Sequence, residues 1–420
     1  MLQSLKTVAK SFLTIGNSKT EIITENKNVV VTDKDVFVDG VQFQIPGFEE
    51  SVKISTQTGE EIEITGPSIN VKWEGPIGNL IIRHGDVFCR DVYGNIESQG
   101  FVKAETVKGS VTSNEEVTCT DVGGSVNAGA SVNCGKVAGD VNTKGNVNVT
   151  GSTKSVTGKD VSVLGNVSGS ITADGNVTCS EVKGSVTAKG TATGFNVVGG
   201  DLSTTGDITV SSSITGNATA GGSIKCENVG GNASSGNDLN CRDVSGSISA
   251  KGNISFNGGS IGGDLKTTGD VTCTSVGGSV STDGKVVVTF GNVGGSVDGA
   301  DVSITGDVTG DVSADKSATV GGNVKGDVDA GESITINGNV EGDLDAGDNI
   351  TIGGSVTGDV DAGEDLTAQT ITGDVDIGGM FTVNGDFSGN IESQSDIVIH
   401  GSFTGEAVNA GGNVYIGKVK

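Results

Sequence analysis

The chain has 420 residues, of which 71 are glycine but only 3 proline, 1 tryptophan and 2 tyrosine, and its formal net charge is −26. So few large apolar side chains cannot fill the wide core of a globular domain of this length, while the abundance of Val, Ile and Thr argues against a disordered chain. The summed negative field repels phosphate at every approach, which argues against nucleic acid and anionic membranes as partners.

Taken in chain order, Met1 to Gly16 places Leu2, Leu5, Ala9, Phe12 and Leu13 at helical spacing, which predicts a short amphipathic helix. Lys6 and Lys10 interrupt what would have to be the apolar part of a secretory signal, so none is expected. Membrane contact is expected at most through this N-terminal segment. No run of about 18 apolar residues follows, and no membrane span is expected. Alternating stretches such as Val29 to Thr32, Val36 to Asp39 and Val52 to Thr56 then predict strands, and Pro46, Pro67 and Pro76 are confined to this region. Residues 1–75 therefore read as a helix plus a small β-rich cap or attachment segment, with 76–420 as a second, repetitive domain.

From Ile96 onward the chain repeats every 15 or 16 residues. Taking the apolar residue after Gly-Asp, Gly-Ser or Gly-Asn as position zero, the series runs through Val111, Val126, Val141, Val156, Ile171 and Val186 to Val328, Leu344, Val360, Val375, Ile391 and Val408. Within one coil the apolar or small residues fall at zero and two, six and eight, and eleven or twelve; in the coil starting at Val126 these are Val126, Ala128, Val132, Cys134 and Val137. Alternation by two is a strand signal, and Gly-containing corners separate the three short strands. The expected fold is all-β: a single long parallel β-solenoid, three-sided, of about 21 coils, with each coil stacked about 4.8 Å above the last and the whole roughly 100 Å long. Coils near Lys159 to Gly165, Gly190 to Phe195 and Gly299 to Gly306 depart from the register and read as local corner changes.

Six of the seven cysteines, Cys119, Cys134, Cys179, Cys226, Cys241 and Cys273, fall at position eight, with Cys89 in a comparable strand one coil earlier. None forms a C-x2-C pair, so they read as small buried hydrophobes with free thiols, which points to the cytoplasm of a bacterial or phage-infected cell. The only two histidines, His84 and His400, lie at opposite ends of the repeat, too far apart to serve these thiols, and no catalytic residue, cofactor site or small-molecule substrate is expected.

The recurring Gly-Asn-Val-x-Gly-Asp-Val-x-Ala-Gly-x-x-Ile-Thr-Ile unit, as in Gly322 to Val328 and Gly338 to Ile352, resembles bactofilins, the bacterial polymer-forming cytoskeletal proteins. The likeness covers roughly residues 95–420. It implies a triangular right-handed β-helix that assembles end to end into filaments without nucleotide and acts as a scaffold for client proteins.

Two acidic columns complete the pattern: Asp327, Asp343, Asp359 and Asp374, and, two residues on, Asp329, Asp345, Asp361 and Asp376. They read first as a solubilising face and second as weak Ca2+ ligands, because paired carboxylates supply hard oxygens. Thr-x-Thr patterns such as Thr118 to Thr120 do not persist from coil to coil as a flat ice-binding ladder would require. The last segment, containing Val414, Tyr415 and Ile416, keeps the repeat pattern and is expected to pair with another copy. The resulting expectation is a non-enzymatic structural protein that self-associates into filaments or scaffolds. The alternative is a phage or virion fibre component or surface adhesin that uses the solenoid as a spacer.

Overall fold

The computed structural model describes residues 79–82, 86–256 and 258–417, together with the backbone of the strands within residues 10–72 and of the last strand. The chain divides into two units, Met1–Gly206 and Asp207–Lys420. Each carries the parallel β-solenoid that the repeat predicts, and among the described residues there is no helix.

In the first unit the strands at position zero stack in parallel from Leu80–Ile82 through Ile96–Ser98, Val111–Ser113 and Val126–Ala128 to Leu202–Thr204. The strands at position six stack on a second side, Val102 on Val117 and Val117 on Val132. Position eleven forms the third side, with Val92 opposite Val107, then Val122, then Val137. Leu80 begins one coil more than the repeat suggested, and the coil around Cys89 is a regular member of the stack.

In the second unit the same three columns run from Ala218 to Val408, from Ile224 to Val414 and from Ile214 to Phe403. The interior is a thin line of side chains that touch one another within a coil and the coils directly above and below, so stabilisation is added coil by coil. Toward the end of this unit the third column changes from Val to Phe387 and Phe403, whose rings stack with centroids 5.8 Å apart, while Phe381 meets Phe387 edge-on at 5.3 Å.

With Ile82 and Ile377 as large exceptions, position two holds Ser, Thr, Ala or Gly. Where they are polar they are satisfied: Ser113 and Ser393 each donate at 2.7 Å to the carbonyls of Gly100 and Gly379, and Thr204 donates at 2.9 Å to that of Gly206. A buried hydroxyl without such a partner would be costly.

The three irregular stretches keep their place in the stack. Val161 pairs with both Val147 and Val177, Ala192 with Val177, and Val302 with Val286 and Ala318. In two of them the corner is short: four residues lie between Val156 and Val161 and between Val297 and Val302, against five between Val126 and Val132. Position two in both is glycine. A Cβ on Gly158 would lie 2.7 Å from Val147 Cγ2, and one on Gly299 2.7 Å from Val286 Cγ2. Shortening the corner draws the backbone inward, and the absent side chain makes room for it.

Overpacking of this kind costs about 1–3 kcal/mol, because valine cannot swing aside. Gly299→Ala is therefore expected to lower the unfolding free energy by that amount, read as a lower urea midpoint, and adding one residue to the 300–301 corner should restore it. An unchanged midpoint in the single variant would show that the close approach is not real.

In the third stretch Gly194 has φ +79°, a conformation that L side chains rarely adopt. The pairing register shifts between Thr178 and Glu181, and Phe195, 1 % exposed, fills the interior that position eight fills elsewhere.

Ahead of the coils, Lys10–Ile15 pairs antiparallel with Ser18–Ile23, and Asp35–Val38 with Val41–Gln44. Ile62–Ile64 and Asn70–Lys72 lie parallel to Leu80–Ile82 and Val87–Phe88, so the ladder already runs at the end of this segment. The helix expected over Met1 to Gly16 falls partly on residues 1–9, outside the described residues. Its remainder, Lys10–Ile15, is strand. The Leu/Phe spacing there fits either period over so short a stretch, and Phe12, Thr14 and Ile15 favour extended backbone.

Candidate functional site

The acidic columns are an ordered polar feature of the second unit, and its backbone explains their spacing. Each Asp of the first column stands just before position zero, at a corner. Its Oδ1 accepts the backbone N–H of the equivalent residue one coil on: Asp311 from Asp327 at 3.0 Å, Asp327 from Asp343 at 2.8 Å, Asp343 from Asp359 at 2.7 Å, Asp359 from Asp374 at 2.8 Å and Asp374 from Asn390 at 2.7 Å. The same ladder runs through Ser and Asn elsewhere, as where Asn232 donates to Asn217 at 2.8 Å, or Ser125 to Ser110 at 3.0 Å in the first unit. These carboxylates therefore hold the corner as well as facing water. The sequence carried the signal, an Asp, Ser or Asn before every position zero from Ile96 to Ile391, with Ala407 the exception before Val408, but such residues read equally well as surface.

The second column points outward from mid-strand. Asp329, Asp345, Asp361 and Asp376 are register partners in succession, followed by Glu392 and Asn409, whose side-chain amide donates to Glu392 at 3.0 Å. The two columns flank a groove of about 640 Å³ floored by the strands of Val328, Leu344, Val360, Val375 and Ile391. Among the described residues no three His, Cys, Asp or Glu side chains are placed to hold one metal ion, because strand geometry sets the carboxylates in a line. The groove can concentrate cations diffusely. It offers no pairing of an acid with a nucleophile or imidazole; His400 is exposed in another strand, and His84 lies outside the described residues.

Burial, and then the flanking carboxylates of Asp345 and Asp376, hold the Asp361 carboxyl above its ordinary range. The folded chain thus binds that proton more readily than the unfolded chain does. Stability is lost as pH rises through the carboxylate range and is regained as pH falls. Asp361→Asn should stabilise the folded chain at pH 7, by less than about 1 kcal/mol for so exposed a group. The gain should vanish in acid and shrink in high salt, as followed by urea midpoints; an equal gain at every pH would argue against like-charge repulsion.

A single threonine column does persist on the neighbouring side: Thr319, Thr335, Thr351, Thr367 and Thr382 are successive register partners. Thr118 and Thr272 of the Thr-x-Thr pairs stand at the same position of their coils, but their register partners Asn133 and Val287 break any ladder there.

All seven cysteines are buried with free thiols. Burial pushes the Cys273 thiol up to about 12 and the Cys179 thiol up to about 11, and burial followed by the Asp91 charge pushes Cys89 up to about 12. Thiols so far from ionisation are poor nucleophiles, in keeping with a packing role.

At the last coil the pattern changes. Val414–Val419 pairs in parallel with Ile397–Thr404, through Val414 with Ile397, Tyr415 with Val398 and Ile416 with Ile399, and among the described residues with no other strand. Val408 is 37 % and Val414 44 % exposed, although Ile391 and Ile397 in the same columns are 2 % and 0 % exposed. Tyr415 points outward between Val414 and Ile416.

Comparison of the chain with protein-family models, with curated proteins and with solved structures returned no match.

Proposed function

We propose that this chain is a non-enzymatic structural protein whose coils associate end to end into filaments or scaffolds, as in the bactofilins its repeat resembles. The observation that carries this reading is the last described coil: Val408 and Val414, which belong to buried columns, are part-exposed, and among the described residues their strands pair only with the coil before. A further coil of a second copy would cover both and pair with the other edge of these strands. The linear placement of the carboxylates and the high thiol pKa values also support a passive role. Buried free thiols suit a reducing compartment, and the protein is assigned to the bacterial or phage-infected cytoplasm on that ground. Client proteins would then bind along the sides.

Ile416→Lys sets a charge at position eight of this coil, and Val414→Lys sets one at position six. Both should leave the monomer folded and reduce the concentration-dependent association seen by sedimentation velocity at least tenfold. Undiminished association in both variants would remove the last coil from the contact. A monomer at every concentration for the unaltered chain would remove the filament reading and leave the spacer of a fibre or adhesin.

A further inference from the structure

Two thiols in the second unit are closer than packing requires. Cys226 and Cys241 sit at position eight of successive coils, one coil of 15 residues apart, and their Sγ atoms are 2.7 Å from each other. Two unbonded sulfurs do not rest so near, whereas a bonded pair lies at about 2.05 Å. The backbone is arranged for the bond. Ile224 and Lys225 are register partners of Leu239 and Asn240, and the Cys226 N–H donates to the Asn240 carbonyl at 3.0 Å. Cα atoms one coil apart in a parallel ladder lie about 4.8 Å from each other, inside the roughly 4.4–6.8 Å range a disulfide spans. Cys119 and Cys134 in the first unit are also register partners on successive coils, whereas Cys273 lies under Val288 and Cys179 over Val163.

We infer that Cys226 and Cys241 are a covalent modification site, oxidised by a small peroxide to a disulfide that staples two successive coils. The chemistry balances in two steps. The Cys226 thiol, 8 % exposed against 2 % for Cys241, is the point of entry. It attacks one peroxide oxygen, the O–O bond breaks, and a sulfenic acid and one water form. Cys241 then attacks the Cys226 sulfur, the S–O bond breaks, the second water leaves and the S–S bond closes. Two thiols have lost two electrons and two protons to one peroxide. The bridge closes a loop of one coil, and so resists the peeling of neighbouring coils that a solenoid allows.

The test uses the full chain in two arms: hydrogen peroxide added to the folded protein, and refolding from denaturant in a glutathione redox buffer. Both are followed by denaturation, alkylation and peptide mapping. The expected product in at least one arm is a linked pair of peptides containing Cys226 and Cys241, with a raised denaturant midpoint for the oxidised chain that reductant reverses. With Cys119→Val as background, so that the other adjacent pair cannot bridge, Cys226→Val, which installs the residue this column uses at Val210 and Val288, should fold, lose the linked peptide and lose the reductant-sensitive shift. If Cys226 and Cys241 both remain fully alkylatable in both arms, or if the shift present in the Cys119→Val background survives the further change Cys226→Val, the inference is overturned.

Discussion

Phe195→Ala is expected to destabilise the first unit by about 3–5 kcal/mol, the largest loss of any single truncation proposed for it. Most inward positions in this unit hold Val, Ala, Ser or Cys, whose truncation removes little. Phe195 is different because it fills a gap that the backbone creates. Gly194 takes φ +79°, the register shifts past Thr178, and the ring, 1 % exposed, occupies the space left in the column. Neighbouring coils are held by their own hydrogen bonds to the coils above and below, so the cavity cannot collapse freely. Urea unfolding should show the loss. Phe195→Leu should recover more than half of it, whereas equal losses for both variants would mean that the ring does not fill this gap.

Ile350→Asp should act on a larger scale and yet stay local. Ile350 is fully buried between Ile334 and Leu366, with no cation among the register partners on either side. An unpaired carboxylate there costs at least about 3 kcal/mol. Because each coil is stabilised only by its neighbours, hydrogen exchange should lose protection in the coils of Ile334, Ile350 and Leu366 while Leu239 and Cys241 keep theirs. Uniform loss across the second unit would instead indicate one globally cooperative core.

Much of this architecture was legible in the sequence because inward positions in a narrow solenoid admit few residues. Val117, Val132 and Val147 announce position six, and the cysteine column at position eight follows from the same period. Legibility failed where spacing and side-chain size changed together. Val161 and Val302 arrive one residue early, after a glycine at position two, and Ala192 is followed by a glycine at position eight. Pattern reading marks such coils as irregular, whereas hydrogen bonding keeps them in register. The acidic columns were legible as columns. Their part in the corner was not, since an Asp that accepts an N–H from the next coil and an Asp that only faces water are the same letter. Likewise, that Cys226 and Cys241 are neighbours follows from the period, but the approach of their sulfurs depends on rotamers that no period encodes.

The proposal of end-to-end assembly is tested most directly by electron microscopy of the purified chain over a range of concentrations. Threads that lengthen with concentration, and that Ile416→Lys shortens, are the predicted result. Separate particles of one fixed length at every concentration, identical in the two proteins, would contradict it.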